Sequence, residues 1–212
     1  MERPYLNNLF LSVVCMGMNL VTHVIGIKWH LRNGGVLSED RGAVIVGNHQ
    51  SSVDILGLSN VWKVASKCII VSKKAMMYIF PSGLCMYWCG SIFIDRKNPK
   101  DAYNQLETSA AKAFKNKKGA FALAISSQVP IIPVVFSPYY FINSEKQIFN
   151  KGNMIIQCLE PVPTEGLTME DLPELIERVQ TNMSRTYKEL LVEIKASLPQ
   201  DYPITLPEAK ID

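Results

Sequence analysis

Apolar positions along the chain fall into short continuous runs bounded by turn residues, with stretches of helical periodicity between them. Ala43-Val44-Ile45-Val46-Gly47 is an apolar run closed by glycine, the pattern of a buried strand. Cys68-Ile69-Ile70-Val71, Ser91-Ile92-Phe93-Ile94 and Met154 to Cys158 predict further strands, and the segment from Val129 to Phe136 leads into another. Between them, Ile55 to Trp62, Met76 to Cys89 with a break at Pro81, and Gly119 to Ser126 read as helices. Asn98-Pro99 opens a helix running to about Lys117, with Asn as cap, Pro at the first helical position and Leu106, Ala110, Ala113 and Phe114 on one face. A last helix, Leu172 to about Leu198, carries Leu175, Ile176, Val179, Met183, Tyr187, Leu190 and Ile194 at helical spacing, a stripe that reads as core packing. Strands that are apolar throughout and alternate with helices predict an α/β fold, a mainly parallel sheet flanked by helices.

Ahead of these elements no charged residue occurs from Leu9 to Ile27, and Lys28, His30 and Arg32 follow at once. The stretch is about long enough to cross a bilayer as a helix, although Asn19, Thr22 and His23 interrupt it. It predicts a membrane-associated N-terminal segment, residues 1–32, whose charge-free stretch is helical; the alternative is a buried or interfacial helix of the domain itself. Glu2 and Arg3 in front of it, and no small-x-small cleavage site, argue against a removable signal. Residues 33–198 then form one catalytic-sized domain, and residues 199–212, with Pro203 and Pro207, an extended tail.

Composition narrows the function classes. The 212 residues are 48% hydrophobic and 19% charged, with a mean hydropathy of +0.08, on the apolar side for a soluble domain and far from a multi-span membrane protein. The net charge of +3 comes from scattered Lys and Arg, which leaves no nucleic-acid footprint and suits anionic lipid head groups instead. The five cysteines lack the density of a disulfide scaffold. Cys85 and Cys89 could share a helix face, but no histidine lies near them to complete a metal set, so no metal or cofactor is expected.

The chemistry concentrates in Asn48-His49-Gln50-Ser51-Ser52-Val53-Asp54, just past the carboxyl end of the first predicted buried strand. In one continuous helix His49 and Asp54 would diverge by about 140°. They can meet only if His49 lies on the loop after the strand and Asp54 opens the next helix, capped by Ser51 or Ser52 and with its ionised form favoured by the helix N-terminus. Asp54 accepting the Nδ1 proton of His49 would fix the tautomer and leave Nε2 as a base for an alcohol attacking an acyl carbonyl. The bland alternative is a histidine merely hydrogen-bonded in a loop. A serine hydrolase would need a nucleophile elbow, and no G-x-S-x-G occurs.

The run Gly47 to Leu56 resembles the first motif, N-H-x₄-D, of the 1-acylglycerol-3-phosphate acyltransferases of animals. Gly90-Ser91-Ile92-Phe93-Ile94-Asp95-Arg96 is similar to their second motif and Val129-Pro130-Ile131-Ile132-Pro133-Val134 to their fourth, in the family's order. The resemblance implies a glycerol-3-phosphate acyltransferase-like fold, acyl-CoA as donor and co-substrate, lysophosphatidic acid as acceptor and phosphatidic acid as product, at a membrane such as the endoplasmic reticulum. By it, His49 is the base and Asp54 its orienting partner. Arg96 contacts the acceptor's phosphate, unless it only pairs with Asp95 or Asp101, and Gly90 and Phe93 shape that site. Pro130 lies in the segment that lines the acyl pocket or simply packs. The family's third motif, a strand followed by E-G-T-R, is missing, and the chain reads as joined directly near residues 117–118, as by an internal deletion. Such a loss would remove a phosphate clamp and a strand, leaving an impaired or inactive variant that keeps membrane or partner binding as the second expectation.

Overall fold

The computed structural model describes residues 4–51, 53–65, 71–78, 83, 87, 91–94, 119–143, 147–199 and 202. Helix α1 spans Pro4–Ile25, and strand β1 follows over Ile27–Arg32. The reversal between them is made at Gly26, whose φ of 77° favours glycine. β2 (Val44–Gly47) leads through the His/Asp loop into α2 (Asp54–Val64). β3 (Val71–Lys73) and β4 (Ile92–Ile94) pair in parallel. The chain continues through α3 (Gly119–Ser126), β5 (Ile131–Phe136), the short antiparallel pair β6 (Ile142–Asn143) and β7 (Ile148–Phe149), β8 (Gly152–Cys158) and α4 (Leu172–Ser197).

The main sheet has the order β1-β8-β5-β2. β1 pairs β8 and β2 pairs β5 in parallel, while β5 and β8 run antiparallel, so the sheet is mixed rather than the mainly parallel one expected. The physical reason is local: the connection from β5 to β8 carries the β6–β7 pair and, among the described residues, no crossover helix, so the chain turns back beside β5. All six residues of β5 are buried, which requires cover on both faces of the sheet because successive side chains point opposite ways. Ile131 packs in one apolar cluster with Ala124 and Ile125 of α3 and Leu175 and Val179 of α4. Phe136, of opposite parity, meets the Trp29 ring edge-on at 6.3 Å, and α2 sits on that ring through Gly57.

Most predicted elements recur with shifted ends. Strand β1 is new: Ile27 to Arg32 alternates buried and exposed positions where the sequence reading placed only a basic flank. The predicted helix over Asn98 to Lys117, most of that over Met76 to Cys89, and the junction near 117–118 lie outside the described residues.

The N-terminal segment is helical as expected, but no helix among the described residues is long and apolar enough to cross a membrane. Its composition explains this, because one face is committed to the protein. Cys15 and Thr22 are buried, and Asn19 Oδ1 accepts a hydrogen bond from Ser59 of α2 at 3.3 Å. On the opposite side Val13, Met16, Leu20 and Val24 form an exposed apolar stripe, with Val24 74% accessible.

Candidate active site

His49 follows the carboxyl end of β2, the end at which parallel α/β strands present their loops to ligands. Two side-chain amides hold that loop to the neighbouring strand. Asn48 Nδ2 donates to Phe136 O at 3.0 Å and its Oδ1 accepts from Phe136 N at 2.7 Å, so the side chain continues the β2–β5 ladder where the β2 backbone leaves it. Gln50 Nε2 donates to the carbonyls of Phe136 and Ser137, each at 3.0 Å, and Tyr187 of α4 donates to Gln50 Oε1 at 3.4 Å. Burial pushes the Tyr187 hydroxyl above its ordinary value, which keeps it a donor.

The loop geometry brings His49 and Asp54 together as anticipated: Nδ1 and Oδ2 are 2.8 Å apart. Asp54 Oδ2 also accepts the backbone N–H groups of Gln50 at 2.7 Å and Ser51 at 3.0 Å. The capping therefore runs opposite to the expectation for Ser51. Among the described residues, which leave out Ser52, helix α2 has no side-chain cap; its N-cap is Val53, and Ser51 Oγ accepts the Val53 N–H at 3.3 Å. Asp54 instead reaches back and binds the loop that precedes it, so the carboxylate that orients the imidazole also folds the segment carrying it.

The second oxygen of Asp54 has a partner the sequence did not suggest. Tyr139, 85 positions away on the segment after β5, donates its hydroxyl to Asp54 Oδ1 at 2.5 Å. Asp54 is buried, while the His49 side chain is 76% exposed. The arrangement is a histidine held at Nδ1 by an enclosed acceptor and open at its outer edge, which suits proton transfer to a ligand arriving from solvent.

Of the other predicted site residues, Pro130 is set apart from this pair. Pro130 lies just before β5, and its carbonyl accepts the Val44 N–H at 2.9 Å at the start of β2. It is thus at the opposite end of the β2–β5 ladder from His49, roughly 13 Å away along the strands. Phe93 is in β4, opposite Ser72 of β3; Gly90 and Arg96 lie outside the described residues. No group of three or more His, Cys, Asp or Glu among the described residues is arranged to hold a metal ion.

The Acyltransferase family profile matches residues 28–113, from β1 across the whole His–Asp loop. Human 1-acyl-sn-glycerol-3-phosphate acyltransferase beta is 31% identical over 199 residues, covering 84% of this chain and 71% of its own length. The human alpha enzyme is 32% identical over 192 residues, covering 80% of this chain and 67% of its own. The crystal structure of the 1-acyl-sn-glycerophosphate acyltransferase PlsC from Thermotoga maritima shares the fold, with a TM-score of 0.64 at 21% identity over 85% of this chain and 79% of that one. The chain belongs to the 1-acyl-sn-glycerol-3-phosphate acyltransferase family.

Proposed function

We propose that the protein transfers the acyl group of an acyl-CoA to the sn-2 hydroxyl of lysophosphatidic acid, giving phosphatidic acid and free CoA. The observation that carries this reading is the His49 ring fixed at Nδ1 by a buried Asp54 and exposed at its other edge; the acceptor class follows from the names of the human relatives. His49 Nε2 takes the acceptor's hydroxyl proton as the oxygen attacks the thioester carbonyl. The tetrahedral intermediate collapses, the carbon–sulfur bond breaks, and the proton on His49 passes to the departing thiolate. Asp54 holds the ring in the required tautomer and stabilises the transient imidazolium, so no acyl-enzyme is needed.

Membrane association belongs to the same reading. The exposed stripe of α1 suits a helix lying in the headgroup boundary rather than crossing the bilayer, which would bring His49 to substrates that themselves reside in the membrane.

A second reading, an impaired variant, rests on the sequence, in which Glu-Gly-Thr-Arg is absent. Among the described residues β2 has β5 as its one strand neighbour, and β3–β4 stand as a separate pair. In this reading the strand that Glu-Gly-Thr-Arg would follow is a further neighbour that the sheet lacks. Incubating purified full chain with labelled acyl-CoA and a panel of lysophospholipids separates the readings. Label entering phosphatidic acid supports the first; no transfer to any acceptor, with vesicle binding retained, supports the second.

A further inference from the structure

We propose that Tyr139 is a positioning residue of the His49–Asp54 pair, its hydroxyl fixing the Asp54 carboxylate from the side opposite His49 and sharing its charge. The proposal rests on the reading of His49 as the base. Three N–H donors, from His49, Gln50 and Ser51, converge on Oδ2, whereas Tyr139 takes Oδ1 at 2.5 Å. The terminal torsion of a carboxylate is soft. Donors on both oxygens stop it turning and so keep Oδ2 in line with Nδ1. Tyr139 is itself immobilised, 4% exposed and packed edge-on against Phe141 at 5.7 Å. Burial, reinforced by the charge of Asp54, holds its hydroxyl far above the usual tyrosine range, so it donates at every working pH.

The charge-sharing has a direction. A donor on Oδ1 stabilises the carboxylate and lowers the attraction left for a proton on His49. Without it the imidazolium is held more tightly, and His49 stays protonated, unable to act as a base, to higher pH. Tyr139→Phe keeps the ring and its contact with Phe141 while removing this one donor, so the variant folds.

The test is a pH titration of the imidazole resonances by NMR, on the full chain and on Tyr139→Phe. The chain has three histidines, His23, His30 and His49, and His49→Ala assigns the signal. We expect the His49 midpoint in Tyr139→Phe to lie roughly half a pH unit above that of the parent, with His23 and His30 unmoved. The acid limb of kcat/KM should rise with it, about a threefold loss on that side, on top of a lower kcat at all pH values. A His49 midpoint that does not move in a folded Tyr139→Phe chain overturns the proposal. Activity that survives His49→Ala overturns His49 as the base instead, and the NMR midpoint still reads the coupling of Tyr139, Asp54 and His49.

Discussion

The Asp54 carboxylate lies 2.8 Å from the His49 imidazole, yet its side chain is 7% exposed and that of His49 76%. The asymmetry separates chemistry from stability. Removing His49 leaves no buried group without a partner, so His49→Ala is expected to lower acyl transfer by ~10²–10⁴ and to shift stability by no more than about 0.5 kcal/mol. Asp54→Ala strands the Gln50 and Ser51 N–H groups and the Tyr139 hydroxyl, and should cost roughly 2–3 kcal/mol as well as the activity. Urea denaturation beside the labelled acyl-CoA assay checks both. Equal destabilisation by the two variants would contradict the division.

Asn48 makes the case for the loop. Its side chain binds both Phe136 N and Phe136 O, so Asn48→Ala takes the acceptor from the Phe136 N–H, while Phe136 O keeps the Gln50 amide, and it frees the segment on which His49 sits. The expected outcome is a loss of about 1–3 kcal/mol and, on the proposal that His49 is the base, a kcat that falls more than KM changes, since His49 is displaced. Steady-state kinetics with both substrates varied, together with denaturation curves, would show it.

The part of this site legible in the sequence was the part that is local. His49 and Asp54 are five positions apart in the chain and adjacent in space, and the strand-loop-helix grammar around them forces the meeting. Tyr139 and Asn48 act across the sheet, over 85 and 88 positions, and a hydrogen bond between distant segments leaves no periodicity to read. Strand β1 was missed for a different reason. Ile27, Trp29 and Leu31 alternate with Lys28, His30 and Arg32, the pattern of a half-buried strand, but the charge-free stretch before it drew the boundary of a membrane helix two residues too far. The antiparallel β5–β8 pairing was hidden because a continuous apolar strand reads the same whichever way its neighbour runs.

Gly57 should behave against its propensity. In an exposed helix interior Gly→Ala stabilises by about 1 kcal/mol, but a Cβ at Gly57 would lie 2.6 Å from the Trp29 ring, which Phe136 already meets edge-on. Gly57→Ala is therefore expected to destabilise by roughly 1–3 kcal/mol through overpacking. A lower urea midpoint with an unchanged m value would confirm it; a raised midpoint would mean that Trp29 has room to move.

The exposed stripe of α1 yields a prediction that leaves the fold alone. Leu20 and Val24 are 65% and 74% accessible, so Leu20→Glu with Val24→Glu removes apolar contact with a lipid surface and adds charge that anionic head groups repel. Flotation with phosphatidylserine-containing vesicles should show most of the bound fraction lost while the melting transition stays in place. Undiminished binding would place the lipid contact elsewhere on the molecule.

Inserting a Glu-Gly-Thr-Arg segment tests the impaired-variant reading. In that reading, a family strand ending in Glu-Gly-Thr-Arg, inserted between Lys117 and Lys118, adds a strand neighbour for β2 and a guanidinium for the acceptor's phosphate. Each charge-assisted hydrogen bond to that phosphate contributes about 1.5–3 kcal/mol, so the expected gain in kcat/KM for lysophosphatidic acid is roughly ten- to a hundredfold per bond. A neutral lysolipid should gain far less, because the added contact reads the phosphate. The chain with the insert should also unfold at higher urea in that reading, since among the described residues β2 has β5 as its one strand neighbour. If insertion raises stability and leaves turnover unchanged, the segment is architectural, and acceptor binding must rest on other residues such as Arg96.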